Sequence, residues 1–342
     1  GPMSEHGRPR LGIICLPRSV AGAVADARLA EDAGFALVGI ADSQSVFREL
    51  YATAALCAQA TRRVLIGPTV TNAITRHPAV AASAIATVDE IAAGRAIFGL
   101  GSGDSAILNL GERPTTLAGL RAYVGALRSL FAGRDAEYAG RRIRLTWAAR
   151  AVPIYLAAEG PRTLELAGEI ADGVIVNLGL QPELVRDAVA RVHAGARRAG
   201  RDPASIDLWT LVRANVTDDV AAGLDEIKME LASSAHHVFR FTLEGKHVPA
   251  ELADAIRRIQ AAYQPAAHEQ LGPSPNAALL DSEPALLRYL GERFAVVGPP
   301  AACAEKLSAV IASGVTGLLF TGFVPDRARL IRLLGEQILP RL

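Results

Sequence analysis

The residues of this chain best suited to chemistry stand at the ends of short apolar runs. Asp42 and Ser43 follow a run over 36–41, and Thr69, Val70, Thr71 and Asn72 close and extend a run over 64–70. Gly101, Ser102, Gly103 and Asp104 end a run over 96–101, Ala157, Ala158, Glu159 and Gly160 one over 153–157, and Asn177, Leu178 and Gly179 one over 173–177. A carboxylate at the position of Asp42 can orient a ring N–H or act as acid or base beside a reacting carbon. It equally suits a helix cap or an Asx turn. Gly99-x-Gly101-x-Gly103 is half of a dinucleotide fingerprint, but its sixth position is Asp104 and it does not open the first βαβ unit. It reads as a close-approach loop whose backbone amides face a ligand, or as a tight turn. Pro161 fixes a helix start, where free N–H groups can hold a phosphate. Glu159 beside it repels an anion unless it points away. His77, just before Pro78, reads as structural. His236, His237, Tyr263 and His268 are candidate substrate contacts whose spacing does not separate them from solvated surface.

The elements that must position these residues follow from the apolar pattern. Runs at 11–15, 36–41, 64–70, 96–101, 153–157, 173–177, 206–213 and 317–321 are continuously apolar, as in strands buried on both faces of a parallel sheet. Between them lie helical segments, the first capped by Ser19 and stopped at Gly34, the others at about 47–60, 78–93, 115–132, 161–171 and 183–199. Eight such units with no run resembling an edge strand predict an α/β fold, a (β/α)8 TIM barrel, over an open doubly wound sheet. Residues 133–152 read as a small hairpin. Residues 214–298 are too long for one βα unit and read as an insertion at the C-terminal face, with helices near 218–232 and 250–262, placed to cover a substrate. The expected organisation is a tail over 1–10, opening with a cleavage scar at Gly1-Pro2, then one barrel domain over 11–342.

Composition narrows the partners. Basic and acidic residues number 36 and 35, a balance without the electrostatic footprint of a nucleic-acid or anionic-membrane binder. No apolar run is long enough to span a bilayer. Cys15, Cys57 and Cys303, an odd and scattered set, suit reduced thiols in a cytoplasmic protein, and the absence of CxxC and HExxH argues against a zinc site.

Three stretches carry a family resemblance: Thr71-Asn72-Ala73-Ile74-Thr75-Arg76-His77-Pro78, Gly94-Arg95-Ala96-Ile97-Phe98-Gly99-Leu100-Gly101-Ser102-Gly103-Asp104, and Pro153-Ile154-Tyr155-Leu156-Ala157-Ala158-Glu159-Gly160-Pro161. With Glu292-Arg293-Phe294 and the residues around each, they resemble the luciferase-like monooxygenase superfamily, and within it the methylenetetrahydromethanopterin reductase branch, over roughly 10–215 and 290–340. The resemblance implies a TIM barrel, a homodimer and a cofactor ring over the strand ends. It implies an oxidoreductase exchanging a hydride between coenzyme F420 and a small organic substrate. The same fold also serves an FMN monooxygenase fed by a flavin reductase, or a barrel that binds flavin without catalysis. By position, the non-prolyl cis peptide of deazaflavin-dependent relatives falls at Thr69-Val70. Asp42 and Asn72 then contact the ring, while 101–104, 157–160 and 177–179 lie near the tail and its phosphate. Relatives often carry His where this chain has Ser43, which leaves the catalytic acid unassigned. Arg293 matches a phosphate-binding position of the sugar-phosphate dehydrogenase branch, without evident lysine partners.

Overall fold

The computed structural model describes residues 8–147, 149–268, 270–271 and 273–342; the tail residues 1–7, with the scar, lie outside them. The chain runs β1 (Arg10–Cys15), α1 (Val20–Asp32), β2 (Leu37–Ile40), α2 (Leu50–Ala60), β3 (Leu65–Pro68), β4 (Thr71–Asn72), α3 (Pro78–Ile91), β5 (Phe98–Gly101), α4 (Ser105–Leu108) and α5 (Leu117–Phe131). A hairpin of β6 (Ala136–Tyr138) and β7 (Arg141–Ile143) follows, then β8 (Ile154–Ala158), α6 (Pro161–Ile170), β9 (Gly173–Val176), α7 (Pro182–Arg198) and β10 (Asp207–Val216). The last third holds α8 (Val220–Glu226), α9 (Lys228–Phe239), α10 (Ala253–Ala262), α11 (Pro275–Ala278), α12 (Pro284–Phe294), β11 (Ala295–Gly298), α13 (Pro300–Ala312), β12 (Gly317–Phe320) and α14 (Arg327–Leu333).

Apart from the antiparallel β6–β7 hairpin, the strands pair in parallel and curl into a barrel. The order is β3-β2-β1-β12-β10-β9-β8-β5-β4, and a parallel bridge between Ile66 on β3 and Ala96, two residues before β5, brings the two ends together. This is the expected (β/α)8 barrel, with one apolar layer between strands and helices and another inside the strands. Local chemistry sets the helix starts: Ser19 Oγ accepts from Gly22 N, His77 Nδ1 from Ala79 N, and Pro161 begins α6. Trp209, Tyr155 and Leu319 fill the barrel interior. At its N-terminal end, the Tyr155 hydroxyl and Trp209 Nε1 both donate to Asp207 Oδ2, at 2.6 and 2.9 Å, and Arg10 pairs with the same carboxylate. That polar plug leaves the opposite end as the place for a ligand.

The excursion after β10 differs in extent from the expected insertion over 214–298. β10 runs on to Val216, and its overhang pairs in parallel with β11, from Arg213↔Ala295 to Val216↔Gly298. The apolar run Ala295-Val296-Val297 satisfies an overhanging strand edge that would otherwise face water. The irregular excursion is therefore 217–294. The hairpin forms as expected, and β8, β9 and β12 fall within a residue of their predicted bounds.

Two glycines set how closely the strands approach where β3 meets β4. A Cβ on Gly39 would lie 2.0 Å from Thr69 Oγ1, and one on Gly99 would lie 2.3 Å from the Pro68 carbonyl oxygen and 3.1 Å from Val70 Cγ1. The peptide between Thr69 and Val70 is cis, as the resemblance implied. Gly99→Ala is expected to cost about 1–3 kcal/mol, because the obstacle at Pro68 is backbone and cannot rotate away. Urea unfolding measures this, and an unchanged midpoint would show that the strands have slack.

Candidate active site

One cleft opens at the C-terminal ends of the strands and encloses about 1130 Å³, solvent at its mouth included. Asp42, Ser43, Thr69, Val70, Thr71, Asn72, Gly101, Ser102, Gly103, Asp104, Ala157, Glu159 and Asn177 all line it. The remaining sequence candidates, Ala158, Gly160, Leu178, Gly179 and Arg293, are not among its lining residues. Ala158 is a fully buried strand residue of the outer core, and Gly160 caps α6 with its backbone. Arg293 is 0 % exposed. It donates from Nε to the Leu178 carbonyl and from Nη1 to the Tyr289 hydroxyl, both at 2.8 Å, and lies over the rings of Phe239 and Phe294. It staples α12 to the loop after β9 rather than facing the cleft.

The floor is largely apolar, with Ile14, Val70, Ile175, Leu211 and Leu319 among its residues. At one side Asp42 is fixed: Thr71 Oγ1 donates to its Oδ2 at 2.6 Å and Arg76 Nη1 at 2.7 Å. Asn72 Oδ1 accepts from Ile74 N, Thr75 N and Thr75 Oγ1, so what Asn72 retains for a ligand is N–H. Ser43 Oγ lies 2.7 Å from Ser105 Oγ, a pair of hydroxyls on the cleft wall. Thr69 Oγ1 is buried without a hydrogen-bond partner among the described residues.

The opposite wall comes from α9, which sends Glu230, Ser233 and His237 into the cleft from one face, at the i, i+3, i+7 spacing of a helix. Glu230 Oε1 accepts from Thr321 Oγ1 at 2.9 Å and Phe323 N at 2.6 Å. His237 stands between two strand-end carboxylates, Nδ1 2.5 Å from Asp104 Oδ2 and Nε2 2.7 Å from Glu159 Oε1. His236 Nε2 lies 2.8 Å from Asp104 Oδ1, its ring stacked on Tyr263, whose hydroxyl meets His268 Nδ1. Arg240 donates to the Gly103 carbonyl at 2.5 Å and to Ser102 Oγ at 3.0 Å. Burial alone would push the Asp104 carboxyl up, but hydrogen bonds from His236 and His237 and the charges of His237 and Arg240 outweigh it and hold it well below the carboxylate range. Glu159 is likewise lowered against burial, chiefly by the charge of His237. Burial disfavours the His237 imidazolium, yet Glu159 and Asp104 raise it to about 9.

The sequence pointed to both carboxylates and left both histidines undecided, since adjacent histidines in an excursion carry no spacing signal. Arg213 also lines the cleft and donates from Nη1 to Asn177 Oδ1 at 2.7 Å; like Glu230 and Ser233 it had no signal beyond its place in an apolar segment.

This architecture has known counterparts. The family model for luciferase-like monooxygenases matches residues 5–317. The chain belongs to that family. It is 32% identical over 324 residues to a 5,10-methylenetetrahydromethanopterin reductase of Methanolobus tindarius, covering 92% of this chain and 94% of that one. It is 29% identical over 297 residues to an F420-dependent glucose-6-phosphate dehydrogenase of Nakamurella multipartita, covering 82% and 78%. The structure of the coenzyme F420-dependent tetrahydromethanopterin reductase of Methanopyrus kandleri superposes with a TM-score of 0.78 at 26% identity, over 97% of this chain and 99% of that one.

The His237 pair makes stability depend on pH. Its folded-state value lies above the ordinary 6.5, so the stabilisation is full below 6.5 and disappears as pH rises through about 9. Denaturant unfolding across that window should show the wild type losing stability relative to His237→Asn. Parallel curves would mean that the imidazole is neutral.

Proposed function

We propose that this member of the family is an oxidoreductase that exchanges a hydride between coenzyme F420 and a small organic molecule. The observation that carries the reading is the pairing, within one cleft of sufficient volume, of an apolar floor with the fixed carboxylate of Asp42 at its side. A flat tricyclic ring bearing N–H donors fits both, with Asp42 as acceptor and the buried, partnerless Thr69 Oγ1 beside the floor. The F420-dependent relatives support the same choice of ring. When bound, a deazaflavin supplies hydride at its C5 carbon.

The chain's own residues orient and dry the site. Val70, with Ile175 and Leu211, gives the ring a face to rest on. The backbone and side chains of 101–104, with Ala157, Glu159 and Asn177, line the part of the cleft where the tail would leave. The α9 wall lies across the cleft and excludes water from the space left for the substrate. Asp104 and Glu159 are held ionised, so neither carries a proton to give at neutral pH. Three buried free cysteines suit a reducing compartment, in keeping with a cytoplasmic protein. Among the described residues no helix is long and apolar enough to cross a membrane.

A homodimer fits the outer surface of α2 and α3. The α2 sequence LYATAALCAQA has no charged residue, and Leu56, Val80 and Ile91 are 46%, 58% and 41% exposed. Val80 and Ile91 lie three helical turns apart and so share a face. An uncharged face of this kind is what two copies bury against each other. Light scattering should give twice the chain mass for the wild type and the chain mass for Val80→Glu; a monomeric wild type ends that part of the proposal.

The decisive experiment for the cofactor is titration with F420 and, separately, with FMN, followed by absorbance and fluorescence. Binding of F420 and turnover of its reduced form with an organic acceptor are expected. Tight FMN binding without F420 binding would instead place the chain among the flavin users.

A further inference from the structure

Outside the cleft, Arg327 of α14 gathers the ends of two barrel strands. Its Nη2 donates to the Ile14 carbonyl of β1 at 2.9 Å, and its Nη1 donates to the carbonyls of Thr321 and Gly322, just past β12, at 3.0 and 2.5 Å. Nε donates to Asp26 Oδ2 on α1 at 3.0 Å, which anchors the guanidinium in the helix layer. A planar fork of five N–H donors can take three carbonyls and a carboxylate at once, where an ammonium has three donors on one atom. Arg327 is not among the residues lining the cleft, whereas Ile14, Thr321 and Phe323 are. The carbonyl of Gly322 and the N–H of Phe323 belong to one peptide unit. That unit is trans, so its C=O and N–H point in opposite directions across a rigid plane. Arg327 holds the oxygen, and the N–H is aimed at Glu230 Oε1 on α9, 2.6 Å away. Thr321 Oγ1 donates to the same oxygen at 2.9 Å. The turn requires glycine: Gly322 has φ +62°, and a Cβ there would lie 2.9 Å from Ile13 Cδ1 and 3.4 Å from Arg327 Nη1.

We propose that Arg327 is a positioning residue for the substrate half of the cleft: by holding the Gly322 carbonyl it presents the Phe323 N–H and the Thr321 hydroxyl to Glu230, and so pins the N-terminal half of α9 as a wall over the bound ring. The wall's place over a ring rests on the reading of the cleft as a cofactor site, but the hold on α9 can be measured without any ligand. The helix has a second polar attachment seven residues on, where His237 meets Asp104 and Glu159. Seven residues span about 10 Å of helix, so two attachments that far apart fix the tilt of the wall as well as its position. With the guanidinium gone, the Gly322 carbonyl loses its donor, the Gly322–Phe323 peptide is no longer fixed, and the N–H offered to Glu230 goes with it. The His237 attachment remains, and α9 loosens at one end only.

The test uses Arg327→Met, Glu230→Leu and the double variant in the full chain. Arg150→Met is the control, because it breaks a comparable pair, with Asp89, near the N-terminal end of β5. In ligand-free protein well below the melting range, Arg327→Met should raise amide hydrogen exchange over residues 228–233 about tenfold, the loss of roughly one hydrogen bond, and leave 234–239 protected. Glu230→Leu should do the same, Glu230→Gln should stay close to the wild type because its amide oxygen still accepts, and the double variant should exchange no faster than the faster single variant. Arg150→Met should leave α9 unchanged. Exchange over 228–233 equal to the wild type in Arg327→Met overturns the proposal, and so does a rise that Arg150→Met shares, because general loss of stability behaves that way. Where Arg327→Met does not fold, Arg327→Lys is read in its place and should raise exchange in the same segment by less. With F420 as the probe, the dissociation constant of Arg327→Met should equal that of the wild type, while iodide quenching of the bound cofactor's fluorescence should rise at least about twofold as water gains access. Unchanged quenching with a loosened α9 would show that the wall does not stand over the ring. If the wild type binds neither F420 nor FMN, the cofactor reading fails, while the ligand-free exchange series still decides the hold on α9.

Discussion

A carboxylate removed from water must meet a cation or several donors, and at the mouth of this barrel four carboxylates meet that requirement in different ways. Asp42 has Arg76 and Thr71. Asp104 and Glu159 share His237. Glu230 takes a hydroxyl and a backbone N–H from the end of β12. Leaving any of them unpaired would cost several kcal/mol, so the pairing largely dictates where the connecting segments lie. The loop between β4 and α3 must bring Arg76 back over β2. The excursion after β10 must turn α9 so that two adjacent histidines, on neighbouring sides of the helix, both reach the β5 end. For Asp42, Asp104 and Glu159 the barrel supplies the anion at its rim and the connection carries the cation; Glu230 reverses the arrangement, an anion on α9 that accepts from the end of β12.

How much of this was legible in the sequence depends on the range of the interactions. The barrel was legible because a strand buried on both faces must be apolar throughout, and runs such as Leu318-Leu319-Phe320 or Val174-Ile175-Val176 state that locally. The rim residues were legible for the same reason, as the first polar positions after each run. The partners were not. His236 and His237 lie more than a hundred residues from Asp104, and their role comes from the docking of a whole helix, to which no local pattern testifies. Arg76 was visible as a residue after β4, but its bond to Asp42 depends on how far β2 and β4 are offset in the barrel. The return of Ala295–Gly298 to the sheet was hidden because a short apolar run next to a helix reads equally well as that helix's end.

Arg293 shows a different limit. The resemblance matched it to a phosphate-binding position, and the structure buries its side chain against Phe239 and Phe294, with Nε on the Leu178 carbonyl and Nη1 on the Tyr289 hydroxyl. A long cationic side chain can satisfy itself by stacking on aromatic faces, and a sequence does not reveal which option the packing takes. Here the phenylalanines come from α9 and α12, two helices of the same excursion, so the excursion packs around an internal cation. That helps explain how a segment with few strands of its own keeps a defined position over the barrel.

The two sides of the cleft therefore differ in kind. The Asp42 side is assembled from residues 42–76, within two consecutive βα units, and its geometry is inherited from the barrel itself. The α9 side is assembled across the chain, and its register over the rim rests on ion pairs with Asp104 and Glu159. A flat cofactor benefits from the first kind of wall, since a fixed acceptor beside a fixed apolar floor leaves little to reorganise on binding. A wall held by a helix from a separate segment can carry different side chains at Glu230, Ser233 and His237 without disturbing the strands. Among the described residues Ser233 is the one of these three with no hydrogen bond to the barrel, so side-chain size rather than pairing sets the room beside it.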